Sequence, residues 1–176
     1  MENLSLGDFV DDEPWRDDVP LLEDVPGEGL IAGVRMQRLV TRADKRGDLT
    51  VLMSALREPI TAPPHVYLVS AEPGSIRAWV YHRRQFDRLA YTNGEIRLVL
   101  YDLREDSPTY RKLDIVDVGA ANKILLTIPP HVVHGVQNRG KSTATFVNMP
   151  TNAYDPEHPD KSRIRFDHPG IPYRFT

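Results

Sequence analysis

From Leu30 onward the chain is a succession of short β-type runs cut by turn signals, and the sharpest cut is Asn93-Gly94. Asn-Gly readily takes the two positive-φ positions of a type I′ turn, so β-rich residues on both sides of it predict a hairpin. Strands are expected over residues 30–40, 49–56, 66–70, 76–82, 89–92, 96–103, 124–128 and 144–148. Between them fall Arg46-Gly47-Asp48, Pro63-Pro64, Glu72-Pro73-Gly74 and Arg139-Gly140. No segment sustains a long apolar period of 3.6 residues, and the one helix expected is a short one near the C-terminus. A chain of 176 residues built this way suits one all-β domain, a sandwich or a barrel.

Within these runs Gly74, His82, Asp87 and Gly94 are spaced in a pattern, and Pro129, His134 and Asn138 make a second one some forty residues on. The two sets resemble the paired motifs of cupins, with Asp87 where Glu is usual, Val80 in place of the first His, and His131 where Gly is usual. The resemblance implies a double-stranded β-helix, or jelly roll. On a strand alternate residues share a face, which puts Ala78, Val80 and His82 on one side and Arg77, Trp79 and Tyr81 on the other. His82, Asp87 and His134 remain from the metal-binding set. Two His and a carboxylate suit a divalent ion with open positions. The other reading of the same residues is polar groups in a barrel mouth that bind substrate or each other. Trp79 reads as barrel packing, and His65, His131, His158 and His168 as loop residues.

Charge divides the chain. Residues 1–29 carry ten acids against the single base Arg16, leaving +6 on the rest of a chain whose formal charge is −3. An acidic arm with Pro14, Pro20 and Pro26, followed by a basic body over residues 30–176, fits a body that handles a small anion and argues against nucleic acid. The arm also holds Leu4, Leu6, Phe9, Val10, Trp15, Leu21 and Leu22, enough to dock on the body or on a second copy, so a homodimer is expected. The tail from Asn152 is rich in Pro and charge and is expected to wrap the barrel mouth. No apolar run reaches the roughly 20 residues of a membrane span, no Cys is present for a disulfide or a thiolate, and the start is unlike a signal peptide. Together these lead to the expectation of a cytoplasmic protein.

Longer stretches carry a second resemblance. They are residues 45–49, 73–79 and 101–110, then Ile128-Pro129-Pro130, His134-Gly135 and residues 148–151, and finally Tyr154, Pro159-Asp160, Asp167 and Ile171-Pro172-Tyr173. From Gly33 to Phe175 the sequence is similar to the dTDP-4-dehydrorhamnose 3,5-epimerase family. That resemblance implies a deoxythymidine diphosphate sugar with a keto group at C4, and no cofactor. A base takes a proton beside the carbonyl, and an acid returns one on the opposite face. It implies catalytic roles for His134, Tyr154 and Asp167, while His82, two residues on from Val80 and on the same face, is the residue placed to substitute for the missing base. Arg46 and Arg77 match arginines that contact the diphosphate, and Asp87 stands where better-known members have a Lys. The family's basic His falls on Val80, which has no lone pair. Strand parity sets Arg77 opposite His82, so a twist, a bulge or a second subunit is needed for both to reach one ligand. Three readings stay open: an epimerase with an altered site, a metal-dependent cupin using His82, Asp87 and His134, and a cupin that binds a ligand or partner without turnover.

Overall fold

The computed structural model describes residues 5–11, 20–27, 29–56 and 59–176. The parts of the acidic arm at 1–4, 12–19 and 28, including Trp15 and Arg16, lie outside the described residues. Among the described residues, thirteen strands follow in order. They are β1 (Leu22–Asp24), β2 (Arg35–Leu39), β3 (Thr41–Asp44), β4 (Gly47–Thr50), β5 (Tyr67–Ala71), β6 (Ile76–His82) and β7 (Asp87–Tyr91). After these come β8 (Glu95–Asp102), β9 (Leu113–Gly119), β10 (Ile124–Ile128), β11 (Val132–Asn138), β12 (Ala144–Asn148) and β13 (Lys161–Arg163). A six-stranded antiparallel sheet, ordered β1-β2-β10-β7-β12-β5, faces a five-stranded one ordered β13-β6-β11-β8-β9, and β3-β4 form a separate hairpin. This is the jelly roll that the motif spacing implies.

Alternation explains how the layers pack. Along β8, Ile96, Leu98 and Leu100 point into the space between the sheets, where they meet Leu89, Ile124, Leu126, Ile128 and Val136. Val99 and Tyr101 point the other way, into a cluster with Trp79, Val133 and Ile171 that the tail residues Tyr173 and Phe175 cover. The tail therefore supplies the outer layer of the five-stranded sheet. The indole N–H of Trp79 donates to the carbonyl of Phe166 at 2.9 Å, and Trp79 is fully buried packing, as expected. The hairpin expected at Asn93-Gly94 does not form: β7 and β8 lie in different sheets, Asn93 is not among the residues with positive φ, and the turn carries the chain from one sheet to the other. Gly94 has φ +77°, and a Cβ there would come within 2.3 Å of the Ala144 Cβ, so no other residue fits without moving the chain.

Several expectations are corrected. Strand 30–40 contracts to Arg35–Leu39. Strand 49–56 gives way to the β3–β4 hairpin, whose register pairs Thr41 with Thr50. The expected C-terminal helix is absent among the described residues: the tail forms β13 and then turns, and the only helical element described is a 3-10 turn at Leu6–Asp8. Strands β9 and β11 were not expected as strands; in β9 the acids Asp114 and Asp117 stand three positions apart and break a period-2 pattern, and Pro129-Pro130 masks the start of β11. Within the acidic arm, β1 pairs with β2 of the same chain, and Arg35 and Arg38 reach Asp24 and Glu23. No helix among the described residues is long and apolar enough to cross a membrane.

Candidate active site

The barrel opens onto a cavity of ≈ 450 Å³ bordered by His65, Tyr67, His82, Tyr154, Lys161 and Arg163. Beneath it a smaller chamber of ≈ 90 Å³ is lined by Tyr67, Arg77, Val80, Asp87, His134 and Asn148, among others. Tyr67, Lys161 and Arg163 border both chambers. The outer volume is of the size that takes a drug-sized ligand.

Arg77 reaches the inner chamber through a bulge. His134 of β11 pairs with Val80 of β6, but Val136 pairs with Arg77, so two steps on β11 face three on β6. The extra residue reverses the alternation, and Arg77 and Val80 line the same chamber. This resolves the parity conflict between Arg77 and His82 within one chain. Gly135 sits in the bulge, where a Cβ would meet the Ala78 Cβ at 2.3 Å.

At the junction, three buried side chains converge from three strands. Oδ2 of Asp87, on the six-stranded sheet, lies 3.1 Å from Nε2 of His82 and 3.4 Å from Nε2 of His134, both on the facing sheet. Gln85 donates its amide to Oδ1 of Asp87 at 2.9 Å. Burial alone would raise the Asp87 pKa, but hydrogen bonds from His134 and His82, and their charge, outweigh it and hold the carboxyl well below the usual carboxylate range. The two histidines are not equivalent. Nδ1 of His134 lies 3.2 Å from the carbonyl of Val132, which only accepts, so this nitrogen is the donor in that contact. Nδ1 of His82 is buried with no hydrogen-bond partner among the described residues. Its Nε2 faces the Asp87 carboxylate, which orients the ring.

Around this set the charge is mostly positive. Strand β13 lays Lys161 opposite His82 and Arg163 opposite Val80. Burial lowers the Lys161 pKa, with the charges of Asp87, Arg163 and Arg77 acting on it as well. The tail is pinned in this position by Asp160, whose carboxylate accepts from the backbone N–H groups of Arg84 and Gln85 at 3.1 and 2.9 Å. Lys161 and Arg163 were missed in the sequence, although charged residues two apart in the tail are a strand-edge signal. Tyr67 was placed on a strand but not at the site.

The structure brings His82, Asp87, His134 and Arg77 together, but not every expected residue. Arg46 lies in the turn of the β3–β4 hairpin, exposed and paired with Asp44, and does not border the cavity. Asp167 is on the outer side of the sheet, because the chain leaves β13 to cover Trp79, and it pairs with Arg165 at 2.6 Å. Tyr154 borders only the outer cavity, 65% exposed and stacked on His65. His131 takes φ +64°, which accounts for the glycine usual at that place, and its ring stacks on Tyr81 outside the pocket. Asn138 of the second motif is a turn clamp, donating to the carbonyls of Ala71 and Ser142.

The donor set of His82, Asp87 and His134 also suits a divalent ion, since one ligand atom from each lies within 4.8 Å of the others.

The chain is 38% identical over 139 residues to a probable low-salt glycan biosynthesis epimerase, Agl13, of Haloferax volcanii, covering 78% of this chain and 89% of that one. It is 33% identical over 147 residues to the spore coat polysaccharide biosynthesis protein SpsL of Bacillus subtilis, covering 84% and 97%. A solved dTDP sugar isomerase of Desulfovibrio desulfuricans superposes with a TM-score of 0.77 at 27% identity, over 82% of this chain and 92% of that one. The model of one sequence family matches residues 31–175, nearly the whole barrel and its tail. The chain belongs to the dTDP-4-dehydrorhamnose 3,5-epimerase family.

Proposed function

We propose that the protein epimerises a nucleotide diphosphate hexose that carries a keto group at C4, at a carbon next to that carbonyl. The observation that carries this reading is the buried His82–Asp87–His134 set at the meeting point of the two chambers, in a chain of this family. A carbon beside a carbonyl inverts by losing a proton to a base and regaining one on the other face, so a base, an acid and a charge stabiliser suffice and no cofactor is needed. His82, oriented by Asp87, takes the proton at Nδ1. Its imidazolium is then stabilised by the carboxylate on Nε2–H. Lys161 and His134 face the negative charge that develops on the carbonyl oxygen, where fixed donors act most strongly because they need no reorganisation. Arg77 and Arg163 hold the diphosphate, with planar guanidinium groups suited to its oxygens. Val80 cannot act as a base, and His82, two residues along the same face, takes that role.

The test is incubation with dTDP-4-keto-6-deoxyglucose in heavy water, following deuterium at C3 and C5 by NMR. Incorporation with formation of an epimer is the expected result; no incorporation at either carbon refutes the reading. Stoichiometric divalent metal in the same preparation, with no exchange, would instead favour a metal centre on His82, Asp87 and His134. We further propose that the protein works as a homodimer. Val66 and Leu68, 55% and 64% exposed at the edge strand β5, support this. A monomer by light scattering at micromolar concentration would refute it.

A further inference from the structure

We propose that Tyr67 is the acid that returns the proton to the substrate, on the face opposite His82. This rests on the epimerase reading above. Inversion requires that proton removal and proton return come from two sides, and the pocket has two sides of different origin. Strands β6, β11 and β13 of the five-stranded sheet supply His82, His134 and Lys161. The facing sheet supplies Tyr67 from β5 and Asn148 from β12.

Three tyrosines border the cavity, and their settings differ. Tyr91 is fully buried and reaches only the inner chamber, while Tyr154 lies at the rim of the outer one, 65% exposed. Tyr67 alone of the three borders both chambers, at the level where His82 and Asp87 meet. Its hydroxyl is also held. Register pairs Asn148 with Tyr67, and the Asn148 amide donates to the phenolic oxygen at 2.8 Å. That contact occupies a lone pair and leaves the hydroxyl hydrogen committed to no acceptor among the described residues, free to point into the pocket. Ring packing on His65, 5.2 Å between centroids, fixes the other end of the phenol. Burial, reinforced by the Asp87 charge, raises the Tyr67 pKa, so the hydroxyl keeps its proton at neutral pH.

The step balances without a further reagent. His82 takes the proton from the carbon, leaving an enolate. The Tyr67 O–H bond then breaks as the new C–H bond forms on the other face, and the electron pair stays on the phenolate oxygen. Solvent entering through the outer chamber returns a proton to Tyr67 and accepts the one held by His82.

A Tyr67→Phe variant tests this, with dTDP-4-keto-6-deoxyglucose in heavy water. Its melting temperature is compared with wild type to confirm that it is folded. The expected result splits two signals. Epimer formation falls by about 10²–10⁴-fold, while deuterium exchange at the same carbon persists, because His82 still removes the proton and returns deuterium to the face it came from. A merely structural role for Tyr67 would lower both together, and that outcome overturns the proposal. So does epimerisation at the wild-type rate in Tyr67→Phe, or its loss in Tyr154→Phe alone. Absence of exchange in the wild-type protein is a different result: it removes the epimerase reading itself, and the role of Tyr67 with it.

Discussion

Two buried carboxylates, Asp87 at the chamber junction and Asp102 at the end of β8, are both held well below the usual carboxylate range, yet they serve opposite ends. In each, burial alone would raise the pKa and hydrogen bonds outweigh it. The donors make the difference. Asp102 accepts from Arg104 Nε and Nη2 at 2.8 Å each, from Ser107 Oγ at 2.6 Å and from Thr109 Oγ1 at 2.7 Å, all within seven residues of its own loop. Arg104 also donates to the carbonyl of Ala32, and Thr109 accepts from the Ala32 N–H, so the knot fastens the entry of the chain into the barrel. Its donors are permanent and its acceptors are used up. Asp87 is instead held largely by two imidazoles, whose ring nitrogens can either donate or accept a hydrogen bond. A saturated carboxylate builds structure, and one bound to titratable partners can take part in proton transfer.

The contrast is broken most directly at His82. His82→Gln retains a donor for Asp87 but no basic nitrogen, and deuterium exchange is expected to fall by about 10²–10⁴-fold with only a small change in melting temperature. Exchange at the wild-type rate would transfer the role of base to another group of that wall, with Lys161 the nearest by strand register.

Asp102→Ala should give the mirror result. Removing one partner strands the Arg104 guanidinium and two hydroxyls, at a cost of about 3 kcal/mol or more in stability, read by denaturant unfolding. Exchange per folded molecule should stay unchanged. A loss of activity in a fully folded variant would mean that this loop reaches the ligand after all.

That loop shows how far the sequence could be read. The run Asp102-Leu103-Arg104-Glu105-Asp106-Ser107-Pro108-Thr109 pointed to the family, but spacing alone does not say whether a carboxylate faces a ligand or its own loop. The barrel was legible because alternation and turn residues are local signals, and His82, Asp87 and His134 because strand ends set them. Arg77 was obscured by the β6 bulge, which one strand read alone does not reveal. Lys161 and Arg163 reach the pocket only because Asp160 pins the tail across the mouth, a contact between residues some 75 positions apart. Asp167, given a catalytic role by resemblance, lies outside the pocket for a like reason: the tail's turn onto Trp79 is a tertiary event.

Acid titration sharpens the comparison further. The unfolded-state pKa of both carboxylates is near the ordinary aspartate value of 3.8, and both folded values lie below it. Their stabilising contribution is therefore complete above that value and is lost as pH falls through it towards the folded values. Melting temperature should hold from neutral pH to about 5 and drop steeply below 4. In Asp102→Asn, that acid-side drop should be shallower. An unchanged slope would assign the acid sensitivity to Asp87 and the other carboxylates.

The smallest effect is expected at Arg46. It is exposed, tied to Asp44 in a hairpin outside both sheets, so Arg46→Ala should change the stability of the free protein by no more than about 0.5 kcal/mol. Arg77 borders the chamber, and a ligand bound only by the folded state raises the melting temperature. Arg77→Ala should thus remove most of the rise produced by dTDP, and Arg46→Ala much less of it. If the two variants lose the rise equally, Arg46 contacts the nucleotide from a position that a single chain does not provide. Mixing the two variants would then separate the cases: a heterodimer in which each copy supplies the arginine that the other lacks should recover part of the rise, whereas two contacts made within one chain would recover none.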